Sequence, residues 1–273
     1  MKLLNTIAGI SGVVGATQSP LSILDNSVVS YRIPTSYESA VMGRRILALT
    51  KLATLSTVFP QTTSQDIRPS GMEGQPVGLM DYVADCEEGG NPTILAIKIG
   101  TTFRNVRDGS NITLSMRWAP PYPPATRMSF LSRLSAYLPF LSRRSSDDVD
   151  REHSGLPDTV PYSAANLPRF SLFGYLEKIE TDDEKANNLT ACYTAKHPDA
   201  RYWLPGNHIH QSEWVRMIVT HVYWIGGFGD RAYIGWIPVD EWKEVTKEDW
   251  EAIELPGERK GWNEWNIGQS EDL

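Results

Sequence analysis

The sequence has few of the residues that usually carry catalysis or metal binding. It holds two cysteines and five histidines among 273 residues. No CxxC, HExxH or GxxxxGK[ST] string occurs, which removes the common zinc, metalloprotease and P-loop sites. The only GxSxG-like string, Gly9-Ile10-Ser11-Gly12, is incomplete, so no nucleophile elbow is present. Gly226-Gly227-Phe228-Gly229 lacks the third glycine of a dinucleotide fingerprint and leads into a strand pattern rather than a helix. No apolar run approaches the roughly 20 residues of a membrane-spanning helix. Basic residues are outnumbered 26 to 33, for a formal charge of −7, and form no stripe. Nucleic acid is therefore excluded as a partner.

What is present points to the secretory pathway. Lys2, the apolar stretch Leu3 to Val14 and the small residues Val14-Gly15-Ala16 read as a signal peptide over residues 1–16. Asn111-Ile112-Thr113 and Asn188-Leu189-Thr190 are glycosylation sequons, each without a central proline. Both features predict an extracellular protein or one of the vacuole or lysosome lumen. In that compartment Cys86 and Cys192 either pair or remain two separately buried thiols; the sequence leaves both open.

Punctuation by Gly, Pro and capping residues divides the rest. Thr35 and Glu38 form a capping box that starts a helix, with Met42, Ile46 and Leu49 on its apolar face and Arg44 and Arg45 turned away. Strands are predicted at 52–58, 75–85, 93–99 and 112–118, the last by its alternation. Thr101 or Thr102 is placed to cap a short turn of helix between the third and fourth. Residues 119–168 break the pattern and read as a partly disordered insertion. Within it, Met128 to Arg144 has helical apolar spacing flanked by Arg133, Arg143 and Arg144, which gives either a membrane-contacting helix or one lying on the sheet. A fifth strand follows at 170–179. A helix capped by Thr181 and Glu184 then runs to His197-Pro198, where proline ends it. The apolar run of 214–225 is a buried strand, and 232–237 is another. Two short helical pieces follow, then a polar tail over 256–273. Many strands with few long helices predict a mainly β, six- to seven-stranded antiparallel split barrel in one domain, 35–255.

His208 and His210 share a face of an extended segment, a spacing metal sites can use, but no third ligand accompanies them, so no metal is predicted. His221 sits mid-strand on the face of Met217 and Val219 and reads as a core or interface histidine. His197 is placed to meet free carbonyls at its helix end. Eight of nine tryptophans follow residue 200. Such density suits packing or a homodimer interface more than stacking on a flat ligand.

The order helix, LATLSTV, GQPVGLMDYVAD, TILAIKIGTTFRNV, ITLSMRW resembles the FMN-binding split barrel of the pyridoxamine-phosphate-oxidase superfamily. The stretch AKHPDARYW, the strand containing Trp214-Val215-Arg216 and GGFGDRAYI are similar to the CREG group of secreted glycoproteins within it. The resemblance implies a homodimer with a flavin site at the subunit interface, and Thr102 with Arg104 matches the hydroxyl-plus-base pair of the superfamily's phosphate motif. Here the second strand brings Asp81 and Asp85 in place of basic side chains, leaving Lys98 or Arg216 as the nearest helpers. The CREG resemblance implies a protein without flavin, and with the leader, the sequons and the depleted phosphate site the expectation is a non-catalytic protein that acts through a protein or glycan partner. The alternative is an FMN-dependent oxidoreductase using Thr102 and Arg104.

Overall fold

The computed structural model describes residues 32–61, 68–124, 163–207, 209–229 and 231–262. The signal-peptide reading, the Met128 to Arg144 helix and His208 lie outside these residues.

Helix α1 (Ser36–Leu49) starts at the expected box: Thr35 Oγ1 accepts from the Glu38 amide at 3.2 Å, and Glu38 Oε2 accepts from the Thr35 amide at 2.8 Å. These reciprocal bonds satisfy two amides that a helix start leaves free. The strands follow as β1 (Leu52–Val58), β2 (Pro76–Tyr82), β3 (Thr93–Ile97), β4 (Ile112–Arg117), β5 (Arg169–Lys178), β6 (Ser212–Ile225) and β7 (Ile234–Ile237). Helix α2 (Thr101–Arg107) joins β3 to β4, α3 (Asp183–Lys196) joins β5 to β6, and α4 (Val239–Glu244) and α5 (Lys247–Glu251) follow β7.

All pairings are antiparallel, in the order β2-β1-β4-β5-β6-β3. β3 takes the first part of β6, Ser212 to Arg216, and β7 takes its last, Val222 to Ile225. The sheet curls but does not close: among the described residues β2 and β3 approach through one bridge, Ala84 with Thr93. This is a split barrel of seven strands. Leu55, Leu114, Leu172 and Met217 fill its inside, and α1 residues and Trp242 of α4 belong to the same buried cluster. A smaller cluster lies under α3, where Leu189 and Tyr193 pack on Leu95, Ile179 and Trp214.

One irregularity re-aims a strand. The β5–β6 register shifts between Phe173, opposite His221, and Gly174, opposite Val219. The extra residue in β6 is a β-bulge, and it reverses which side chains face inward beyond it. Met217 and Val219 point in before it, Val222 and Trp224 after it, and His221 is left exposed. His221 is therefore not a core residue, and it does not share the face of Met217 and Val219. Only glycine fits at 174, because a Cβ there would lie 1.9 Å from the Ile218 carbonyl oxygen.

Three further expectations are corrected. Helix α3 is capped by Asp182 rather than Thr181, its carboxylate accepting from the Lys185 amide at 2.8 Å. Leu49 is exposed, since the apolar face of α1 runs through Val41 and Leu47 instead. Arg44 is turned inward and fully buried, not outward. Past α5 the chain from Leu255 to Trp262 is fastened to its own barrel. Trp118 Nε1 donates to Pro256 O at 2.6 Å, and Trp262 Nε1 donates to Tyr122 O at 2.7 Å.

Candidate functional site

The expected phosphate pair does not converge. Residues two apart on a helix point roughly 200° away from each other. Accordingly Thr102 of α2 is buried and Arg104 is exposed. Nor does either threonine cap the helix, which begins at Gly100 without a side-chain cap. The nearby cations are already engaged. Lys98 Nζ lies 3.8 Å from Glu213, while Arg216 stands 3.0 Å from Glu87, an ion contact off the hydrogen-bond line, and 3.8 Å from Glu177. A phosphate dianion needs several converging charge-assisted donors. The donor set around α2 does not fit the phosphate of FMN.

The carboxylates expected beside that site serve the fold. Arg44 Nη2 donates to Asp85 Oδ2 at 3.0 Å and to Glu88 O at 2.6 Å, while Nη1 donates to Trp242 O at 3.1 Å and Val245 O at 3.0 Å. One guanidinium thus ties α1, the turn after β2 and the α4–α5 link. Gly90 closes this turn at φ 72°, where a Cβ would sit 2.7 Å from Trp242 Nε1. Burial raises the Asp85 carboxyl above the ordinary range despite its arginine. Burial likewise raises Asp81, which accepts from the Tyr82 amide at 2.8 Å.

A second knot of titratable groups joins α3 to the end of β2. His197 stacks on Tyr82 at 4.5 Å between centroids, and its Nε2 donates to Val83 O at 3.0 Å. Its ring therefore meets a carbonyl beyond β2 and not those of its own helix end. Burial lowers the His197 pKa, which favours the neutral ring, and its carbonyl partner places a proton on Nε2. Tyr193 OH donates to Tyr82 O and accepts from the Leu95 amide, and burial raises its pKa. Lys196 Nζ donates to Leu47 O, and burial pushes its pKa down to about 8. Tyr82 OH also donates to Asp199 Oδ2 at 2.6 Å, so the polar groups of this knot bond mainly to one another and to the backbone.

Cys86 and Cys192 are joined as a disulfide, with Cα atoms 5.8 Å apart, linking the turn after β2 to α3. Asn111 and Asn188 are both exposed, one just before β4 and one on α3. No group of three or more potential metal ligands occurs among the described residues, and none of their helices is long and apolar enough to cross a membrane.

An open groove of about 650 Å³ lies on the outer face of the sheet. Its floor is an in-register row across five strands, Met80, Thr54, Ser115, Ser171 and Tyr223, and the row continues beyond the groove to Trp236. The row is apolar at both ends and hydroxylated between, with the Ser115 and Ser171 hydroxyls 2.8 Å apart. At one end Trp236, 55% exposed, contacts the rings of Phe173 and Tyr223 at 5.5 and 5.0 Å between centroids. One step along the sheet, Arg117 and Arg169 are direct partners in the β4–β5 ladder and both line the groove. Sequence reasoning missed this pair. Each arginine sits at the tip of a separate strand pattern, and the only signal was the register between them.

The profile of the CREG beta-barrel family matches residues 34–244. The chain belongs to that family. No curated protein matches it significantly. Among solved structures it is similar in fold to a heme binding protein from Mycobacterium smegmatis, at 19% identity, covering 81% of this chain and 62% of that one, with a TM-score of 0.44. It is also similar to HutZ, the heme storage protein of Vibrio cholerae, at 11% identity over 70% of this chain and 95% of that one, with a TM-score of 0.36. ChuZ of Campylobacter jejuni aligns at 9% identity over 73% of this chain and 59% of that one, with a TM-score of 0.42. The chain spans under two thirds of the first and third of these proteins.

Proposed function

We propose that this CREG-family chain is a non-catalytic, glycosylated split-barrel protein of the secretory pathway that acts as a homodimer through protein or glycan contacts. The observation that carries the reading is the geometry of α2. Buried Thr102 and exposed Arg104 leave no cradle for a flavin phosphate, and Lys98 and Arg216 are occupied by carboxylates. The disulfide and the exposed sequons support an oxidising, glycosylating compartment. The half-exposed aromatic cluster around Trp236 supports a contact surface, since Trp and Tyr are enriched at interface centres.

The test is the purified full-length protein from a secretory host. The reading expects no flavin absorbance after denaturation, a dimer by sedimentation, a monomer for Trp236→Glu, and mobility shifts on deglycosylation that vanish in Asn111→Gln with Asn188→Gln. Stoichiometric flavin in the wild type overturns it.

A further inference from the structure

We propose that Arg117 and Arg169 form an anion-binding site for a small organic ligand with a carboxylate or phosphate head on an apolar body. The proposal goes beyond the reading above and does not depend on it.

Half of the twelve arginines among the described residues are paired with an acid. Arg32, Arg44, Arg45, Arg107, Arg216 and Arg259 each stand against a carboxylate. Arg117 and Arg169 face each other across a ladder with no carboxylate beside them among the described residues. Arg169 Nη1 donates to Ala165 O at 3.2 Å and to Leu167 O at 3.5 Å, which holds its guanidinium in place without neutralising it. Among the described residues no aspartate or glutamate lines the groove, in a chain with seven more acids than bases. Like charges directly opposite in a sheet repel. A bound oxyanion turns that repulsion into two convergent, charge-assisted donor sets, the geometry guanidinium groups suit best.

The surroundings define the rest of the ligand. Leu52 and Met80 on one side and Ile225 on the other offer apolar walls, and the hydroxyls of Thr54, Ser115 and Ser171 lie along the floor. The groove volume falls within the span of roughly 300–1,000 Å³ usual for small-molecule pockets. The site stands apart from α2, which packs near the opposite end of β1, where Asn105 Nδ2 donates to Thr57 Oγ1.

The probe is anilinonaphthalene sulfonate, an anionic aromatic fluorophore, titrated into the full chain. Octanoate or octyl phosphate should displace it, the stronger competitor identifying the head, while octanol should not. Arg117→Gln and Arg169→Gln should each raise the Kd at least tenfold, and the double Arg→Lys variant should retain part of the affinity. Arg107→Gln, an exposed arginine on α2, should leave the Kd unchanged. Thermal unfolding of each variant confirms the fold. Competition by octanol equal to octanoate, failure of both anions to compete, or a Kd indifferent to the two arginines overturns the proposal.

Discussion

Arg44 and the Arg117–Arg169 pair show two opposite uses of one side chain. Arg44 is sealed beneath α4, with one carboxylate and three carbonyls as acceptors. Arg117 and Arg169 lie on the outer face beside each other, with two carbonyl bonds on Arg169 and no countercharge among the described residues. A buried charge is tolerated only when fully paired, because its desolvation cost is several kcal/mol. Two like charges at the sheet surface, Arg117 exposed and Arg169 half-buried, need no partner to fold, and their mutual repulsion costs only a small amount of stability. The contrast separates an arginine kept for architecture from arginines available to a ligand.

The largest test breaks the architectural side. Arg44→Ala should cost about 3–5 kcal/mol in urea unfolding, because Asp85 and the carbonyls lose their donor. Replacing both charges, as Arg44→Met with Asp85→Leu, should recover a large part of that loss; no recovery would mean that the carbonyl bonds outweigh the ion pair. Next, Cys86→Ser with Cys192→Ser should cost roughly 2–5 kcal/mol. Since Cys86 sits in the turn that Arg44 holds, adding Arg44→Ala to this variant should cost more than the sum if staple and guanidinium brace the same turn.

A pH effect is expected from His197 nearby. Its pKa in the fold lies below the unfolded value of 6.5. The unfolded chain therefore binds the proton first, so the contribution of this histidine is intact above pH 6.5 and is lost as pH falls through the folded pKa. The wild type should lose more Tm than His197→Gln between neutral and mildly acidic pH, and equal losses would rule this histidine out as the cause. The smallest effect belongs to the outer pair: Arg117→Gln and Arg169→Gln should each change stability by less than about 0.5 kcal/mol. A large loss there would erase the distinction between the two sites.

Much of the fold was legible because its signals are local. β1 occupies residues 52–58 as its apolar pattern and flanking breaks require, and the Thr35–Glu38 box starts α1 where its two side chains meet. The candidate site was less legible because it rests on long-range placement. Helical periodicity turns Arg44 outward by default; its burial depends on Asp85 and Trp242, separated from it by 41 and 198 residues. His221 faces out because of a bulge that only a glycine on the neighbouring strand leaves room for. Thr102 looked like a cap until α2 was seen to begin at Gly100, which turns the hydroxyl into the core. The Arg117–Arg169 pairing exists only in the register of β4 against β5, which no single strand encodes.

The gap between β2 and β3 has a mechanical consequence. A closed barrel resists opening through a full ladder of backbone bonds, whereas here, among the described residues, a single bridge, Ala84 with Thr93, spans the seam. Cys86 lies two residues beyond Ala84 and fastens the same corner covalently to α3. The corner works as a clasp. Reduction would leave β2 and α3 held together there only by the Tyr82–His197 stack and the bonds of Tyr193 and His197 to Tyr82 O and Val83 O. Amide exchange along β2 and β3 should then report the redox state of the clasp more sensitively than exchange anywhere in the barrel wall.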